Sequence, residues 1–142
     1  MPENYSVPLT QLVHVFNLEV TYAATDYEKI RLTGADIARP GLQLSGYFDH
    51  FEPVRLQVVG NVEMSYLDKL SSAERRIMFD RLFRYKFPAL LVSRGMEHSA
   101  ECIEMAKKHN VTLLRCHQST SNIVSSIITY LNSELAPRIT RH

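Results

Sequence analysis

Apolar and polar residues alternate along this chain at two periods. In SVPLTQLVHVF, Leu9, Leu12, Val13 and Phe16 fall on one helical face, with Ser6 where an N-cap belongs and Pro8 in the first turn. A short amphipathic helix is predicted there. LEVTYA and EKIRLTG read as short strands on either side of a polar turn at Asp26, and the stretch from Gly34 to Phe51, with three glycines and a proline, reads as loop with strand fragments. PVRLQVVG sets Val54, Leu56 and Val58 against Arg55 and Gln57, the period of a half-buried strand closed by Gly60.

From Asn61 to Tyr85 the period is helical, but Ser71, Ser72 and Glu74 carry a capping-box signature in its middle, which predicts two helices. The second should bury Ile77, Met78, Leu82 and Phe83. FPALLVSRG is a short apolar run, HSAECIEMAKKH a helix opened by Ser99, and VTLLRCH a second apolar run. Strand, helix and strand in that order form a βαβ unit with parallel strands and a right-handed crossover. A last helix from about Ser119 aligns Ile123, Ile127, Ile128, Leu131 and Leu135. The fold class is therefore α/β: a compact mixed sheet, partly parallel, with a C-terminal βαβ unit and helices packed on it.

Composition narrows the picture. A chain of 142 residues with 45% hydrophobic content can bury the core of one domain. Sixteen basic and fifteen acidic residues leave a formal net charge of +1, so no global field favours nucleic acid or an acidic membrane surface. No leader pattern opens the chain and no apolar run approaches the ~18 residues of a membrane span, so a soluble, cytoplasmic protein is expected. Cys102 and Cys116 suit neither a disulfide scaffold nor a Cys-x-x-Cys metal site, and both are expected to be reduced and buried.

Ligands of parallel sheets bind beyond the carboxyl ends of the strands, which here are SRGMEHS and CHQSTS. Arg94, His98, His117, Ser119 and Thr120 could line that edge, with the last helix offering unpaired N–H groups to an anion. The same residues also suit a plainer part, with Ser99 and Ser119 as helix caps and the charged groups solvated. The six histidines lack H-x-x-x-H and H-E-x-x-H spacing, so no metal site is expected. Cys116 and His117, adjacent on a strand, would point to opposite faces and share no proton. G-x-S-x-G, a Walker A loop and G-x-G-x-x-G are all absent from the sequence. In DIARPGLQLSGYFDHF, Pro40 and Gly41 make a turn, and Gly46 stands beside two aromatics, as close backbone packing would require.

That segment resembles the D-I-x-R-P-G-L-x-L-x-G-Y-F signature of the N-terminal domain of the bacterial HPr kinase/phosphorylase family. RLQVVGNVEMSYLDKL is similar to the family's R-I-Q-L-x-G-x-x-E-x-S-F-L, FPALLVSRGME to its P-x-x-I-V-T-R-G-L-x, and ITYLNSELAPRITRH to its L-x-x-Y-L-x-x-x-L-A-P-x-x-x-x-H. The likeness runs from Ser6 onward in one order and spacing. It marks Arg39, Pro40, Gly41, Gly46 and Tyr47 as signature positions without giving them a chemical role. The fold it implies is similar to the N-terminal domain of a peptide ligase of cell-wall synthesis.

The resemblance implies a full-length enzyme that phosphorylates a regulatory serine of HPr with ATP or pyrophosphate and magnesium, and reverses this by phosphorolysis, within the phosphotransferase system and carbon catabolite repression. It implies a hexamer. The phosphate loop, magnesium-binding groups and catalytic aspartate belong to a kinase domain beyond this sequence. Only His142 matches an active-site position, so residues 1–136 are expected to form a non-catalytic domain without cofactor and 137–142 a connector to the kinase domain. The alternative is a free-standing regulatory module that binds a phosphorylated metabolite or anion.

Overall fold

A computed structural model describes residues 6–44, 46 and 54–136. Val7–Pro8 (β1) runs straight into helix α1, Leu9–Val15, and pairs with β3, Arg31–Leu32, in a small antiparallel ribbon. Between them lie β2, Glu19–Tyr22, and a 3-10 turn at Tyr27–Lys29. Next come β4, Ile37–Ala38; α2, Gly41–Leu44; β5, Leu56–Val59; α3, Asn61–Asp68; and α4, Ser72–Phe83. The chain continues through β6, Ala89–Val92; α5, Ala100–His109; β7, Thr112–Arg115; and α6, Thr120–Leu135. A five-stranded sheet in the order β2-β7-β6-β5-β4 forms the centre, with β4 to β7 mutually parallel and β2 antiparallel to β7. The βαβ unit expected from sequence is β6-α5-β7.

Successive side chains of a strand face opposite sides, and both sides of this sheet are covered. Val58, Leu91 and Leu114 pack with α1 and the Ile123, Ile127 and Leu131 stripe of α6. Val59, Leu90, Val92 and Leu113 pack with Phe79, Leu82 and Phe83 of α4 and with Met105 of α5. Cys102 and Cys116 are free thiols, one in each core. Among the described residues no helix is long and apolar enough to cross a membrane.

The serine caps formed where the sequence placed them. Ser71 Oγ accepts the Glu74 N–H while Glu74 accepts the Ser71 N–H, and Ser99 and Ser119 accept from Cys102 and Asn122. Ser6 is different: extended Pro8 is the N-cap of α1, and the Ser6 hydroxyl accepts from Arg31 Nε across the ribbon at 2.6 Å. Two further expectations shift. β5 is not half-buried, because it starts at Leu56 and all four of its residues are buried, Gln57 included, as suits a strand with parallel neighbours on both sides. In α4, Ile77 is exposed and Phe79 takes the buried place beside Leu82 and Phe83. Phe79 packs with α5 and the sheet, and the Arg75–Glu101, Arg76–Glu104 and Asp80–Lys108 pairs to α5, each at 3.0 Å, lie on the outer side.

Candidate functional site

The carboxyl edge of the parallel strands is where α3 and α6 begin. β5 is followed by Gly60, the N-cap of α3, whose N–H is accepted by Glu63 in the first turn of that helix at 2.8 Å, and the same carboxylate oxygen takes Arg39 Nη2 at 2.7 Å. Burial works against a charged Glu63, yet Arg39 and the Gly60 N–H outweigh it and hold its pKa below the usual value. Arg39, a signature position of unassigned role, is thus fixed by a carboxylate 24 positions ahead. Beside it, the Pro40 carbonyl accepts the Leu44 N–H and opens α2, and Gly46 follows at φ +103°, where glycine is favoured.

The end of β6 is shaped by two left-handed residues, Arg94 at φ +61° and Gly95 at φ +71°. Their N–H groups donate to the Gln118 and Cys116 carbonyls, each at 2.8 Å, so the segment leaving β7 is fastened along the end of β6. It thereby brings the start of α6 over the end of β5. Thr120 Oγ1 lies 2.6 Å from Ser93 Oγ, both buried, and directly against Gly60. The two helix N-termini therefore meet, one from each face of the sheet.

Around that junction Arg39, Asn61, Val62, Arg94, Thr120 and Ser121 enclose a groove of about 310 Å³ floored by Ile37 and Val124. No carboxylate is among these residues. Of the five edge residues expected from sequence, Arg94 and Thr120 line the groove and Ser119 caps the helix beside it. His98 and His117 do not join them. His117 leans on Gly95 and reaches Glu19 at 3.3 Å, lowering the pKa of that carboxylate together with Arg115. His98 turns inward beneath the sheet.

His98 is 8% exposed and lines a small apolar cavity with Leu44, Val59, Met64 and Phe79. The cavity, about 30 Å³, has room for little more than a water molecule. Among the described residues neither ring nitrogen has a hydrogen-bond partner. Burial, helped by the charge of Arg115, holds the His98 pKa down to about 4, and the nearby Leu90 and Leu114 carbonyls only partly oppose this. A histidine depressed in the fold binds its proton more readily in the unfolded chain, so stability is full above about pH 6.5 and falls as the pH drops towards 4. The loss is expected to be on the order of 2 kcal/mol between pH 7 and pH 4.5, read as a falling urea midpoint. His98→Leu should flatten that slope, and an unchanged slope would show that His98 is not its source. Asp80, held to about 2 by His109 and Lys108, adds its own acid lability only below about pH 4.

Sequence reasoning missed Glu63, Asn61 and Val62. The available signal was Gly60 followed at the third position by Glu63, a capping arrangement without a hydroxyl at the cap. Tyr47 and His142 lie outside the described residues. Among the described residues no three His, Cys, Asp or Glu side chains converge as a metal site would require.

Residues 7–131 match the family described as HPr Serine kinase N terminus. The chain belongs to that family. Family relatives include the HPr kinase/phosphorylase of Streptococcus thermophilus, 39% identical over 137 residues, and that of Thermoanaerobacter pseudethanolicus, 38% identical over 136. Each alignment covers 96% of this chain but 44% of the relative, so the chain spans under half the length of the curated relatives it matches. Among solved structures, the CBS and DRTGG regulatory region of Clostridium perfringens pyrophosphatase, complexed with diadenosine tetraphosphate, superposes with a TM-score of 0.62. It covers 92% of this chain and 51% of its own at 17% identity, which establishes a shared fold.

Proposed function

We propose that this chain is the non-catalytic N-terminal domain of an HPr kinase/phosphorylase. In that reading the full-length enzyme transfers phosphate from ATP or pyrophosphate to a regulatory serine of HPr, and removes it by phosphorolysis, in carbon catabolite repression in the cytoplasm. The observation that carries the reading is the family match across nearly the whole chain, against less than half of each relative. Residues 1–136 form the domain and 137–142 the connector, with His142 the position that would enter the active site of the joined kinase domain.

The residues present do not fit ATP and magnesium. Phosphoryl transfer needs a cradle for the phosphates and carboxylates for the metal, and the sequence has no Walker A loop. The catalytic parts therefore belong to the kinase domain, and this domain contributes architecture, attached to that domain and to the hexamer by way of α6. The test is a parent protein carrying this segment, incubated with HPr, ATP and magnesium. Phosphate on a serine of HPr, released again as pyrophosphate on adding inorganic phosphate, is the expected result. A folded parent that leaves HPr unmodified would overturn the reading.

A further inference from the structure

We propose that the groove between α3 and α6 binds a phosphate-sized dianion, free or as the terminal group of a monoester, between the guanidinium groups of Arg39 and Arg94. Charge is the first support. Two arginines border the groove, and no carboxylate is among the described residues that line it. A guanidinium carries five N–H donors, and Glu63 engages Arg39 through Nη2 alone. Glu63 thus orients Arg39 without exhausting it. Arg94 is exposed, and its backbone is pinned in the left-handed region by the N–H bond to Gln118. Its side chain therefore leaves the chain from a fixed point at the rim of the groove. Planar, paired N–H donors of this kind are the ones that recognise phosphate oxygens.

The backbone adds donors of the same sense. The first N–H groups of a helix have no intrahelical acceptor, and Asn61 and Val62 in α3, with Thr120 and Ser121 in α6, are the first two residues of their helices and line the groove. Glu63 and Ser119 accept the Gly60 and Asn122 N–H groups, so among the described residues the side-chain caps do not take these four. The topology supplies the position: α3 packs on one face of the sheet and α6 on the other, and both begin at the carboxyl edge of the parallel strands, the edge at which ligands of open α/β sheets bind. A volume of about 310 Å³ accepts a phosphate with a small organic group attached. The contact of Gly60 with Thr120 sets the separation of the two termini, so the anion would bridge elements that the fold has already brought together.

The experiment is a titration of the 15N-labelled chain, at constant ionic strength, with inorganic phosphate in one arm and glycerol phosphate in the other. Saturable shifts of the Asn61, Val62, Thr120 and Ser121 amides are expected, with Arg94→Glu weakening binding by about tenfold or more and leaving the melting temperature unchanged. Saturation by both ligands identifies the terminal phosphoryl group as the recognised unit, and saturation by inorganic phosphate alone identifies the free anion. Absence of saturable shifts up to about 10 mM of either ligand, or equal binding by Arg94→Glu, would overturn the proposal. The result is independent of the kinase reading, because the titration needs neither HPr nor a catalytic domain.

Discussion

Gly60→Ala is expected to destabilise the chain by about 1–3 kcal/mol, a large loss for a single added methyl group. At φ −125° the backbone of Gly60 is open to any residue, so the effect is steric and not conformational. A methyl carbon there would stand 2.3 Å from Thr120 Oγ1 and 3.1 Å from its Cβ and Cγ2. Thr120 cannot swing aside without cost, because its hydroxyl is committed to Ser93 Oγ in a buried pair, and Ser93 is in turn bonded to the Val59 carbonyl. The accommodation left is to move α6 away from α3, which opens the Ile123 and Ile127 stripe on the core. Urea unfolding of Gly60→Ala measures the loss. The double variant Gly60→Ala/Thr120→Ala should be more stable than the sum of the single effects, since removing the hydroxyl and methyl makes room for the added carbon. A single variant within about 0.5 kcal/mol of the parent chain would mean that the two helix termini are not held in contact.

How much of this was legible in advance divides along the range of the interactions. Local chemistry read well: Ser71 with Glu74, Ser99 and Ser119 announced three helix starts, because a cap is decided by residues three positions apart. The Ile123, Ile127 and Leu131 stripe likewise needed only helical period. What depended on distant partners did not read. Ile77 and Phe79 are both apolar, and which is buried depends on packing of Phe79 with α5 and the sheet, with the ion pairs to α5 lying on the outer side. Gln57 looked like the polar side of a half-buried strand, whereas β4 and β6 on either side and helices on both faces enclose it.

The candidate site shows the same division. Strand ends were located, and Arg94 and Thr120 arrived at the groove. His98 turns inward a few residues after two left-handed positions, and of these only Gly95 announces itself by residue type. Arg39 entered as a position of the family signature, and its partner Glu63 is visible only once β4 and α3 lie side by side. The resemblance and the structure therefore contributed different things. The first supplied the family, and the second supplied the carboxylate with which the signature arginine pairs.

The purified chain by itself is expected to leave HPr unphosphorylated. Phosphoryl transfer rests on positioned positive charge, a metal and a base around one phosphate. This sequence has no phosphate loop, and among the described residues no acid cluster could hold magnesium. The groove beside Arg39 and Arg94 could bind an anion without supplying either of those parts. The decisive measurement is phosphoserine on HPr, followed by mass spectrometry after prolonged incubation of the purified 142-residue chain with HPr, ATP and magnesium, and in parallel with pyrophosphate. No phosphoserine above the level without the chain is predicted in either reaction. Serine phosphorylation of HPr that rises with the amount of the chain would contradict its assignment as a non-catalytic domain.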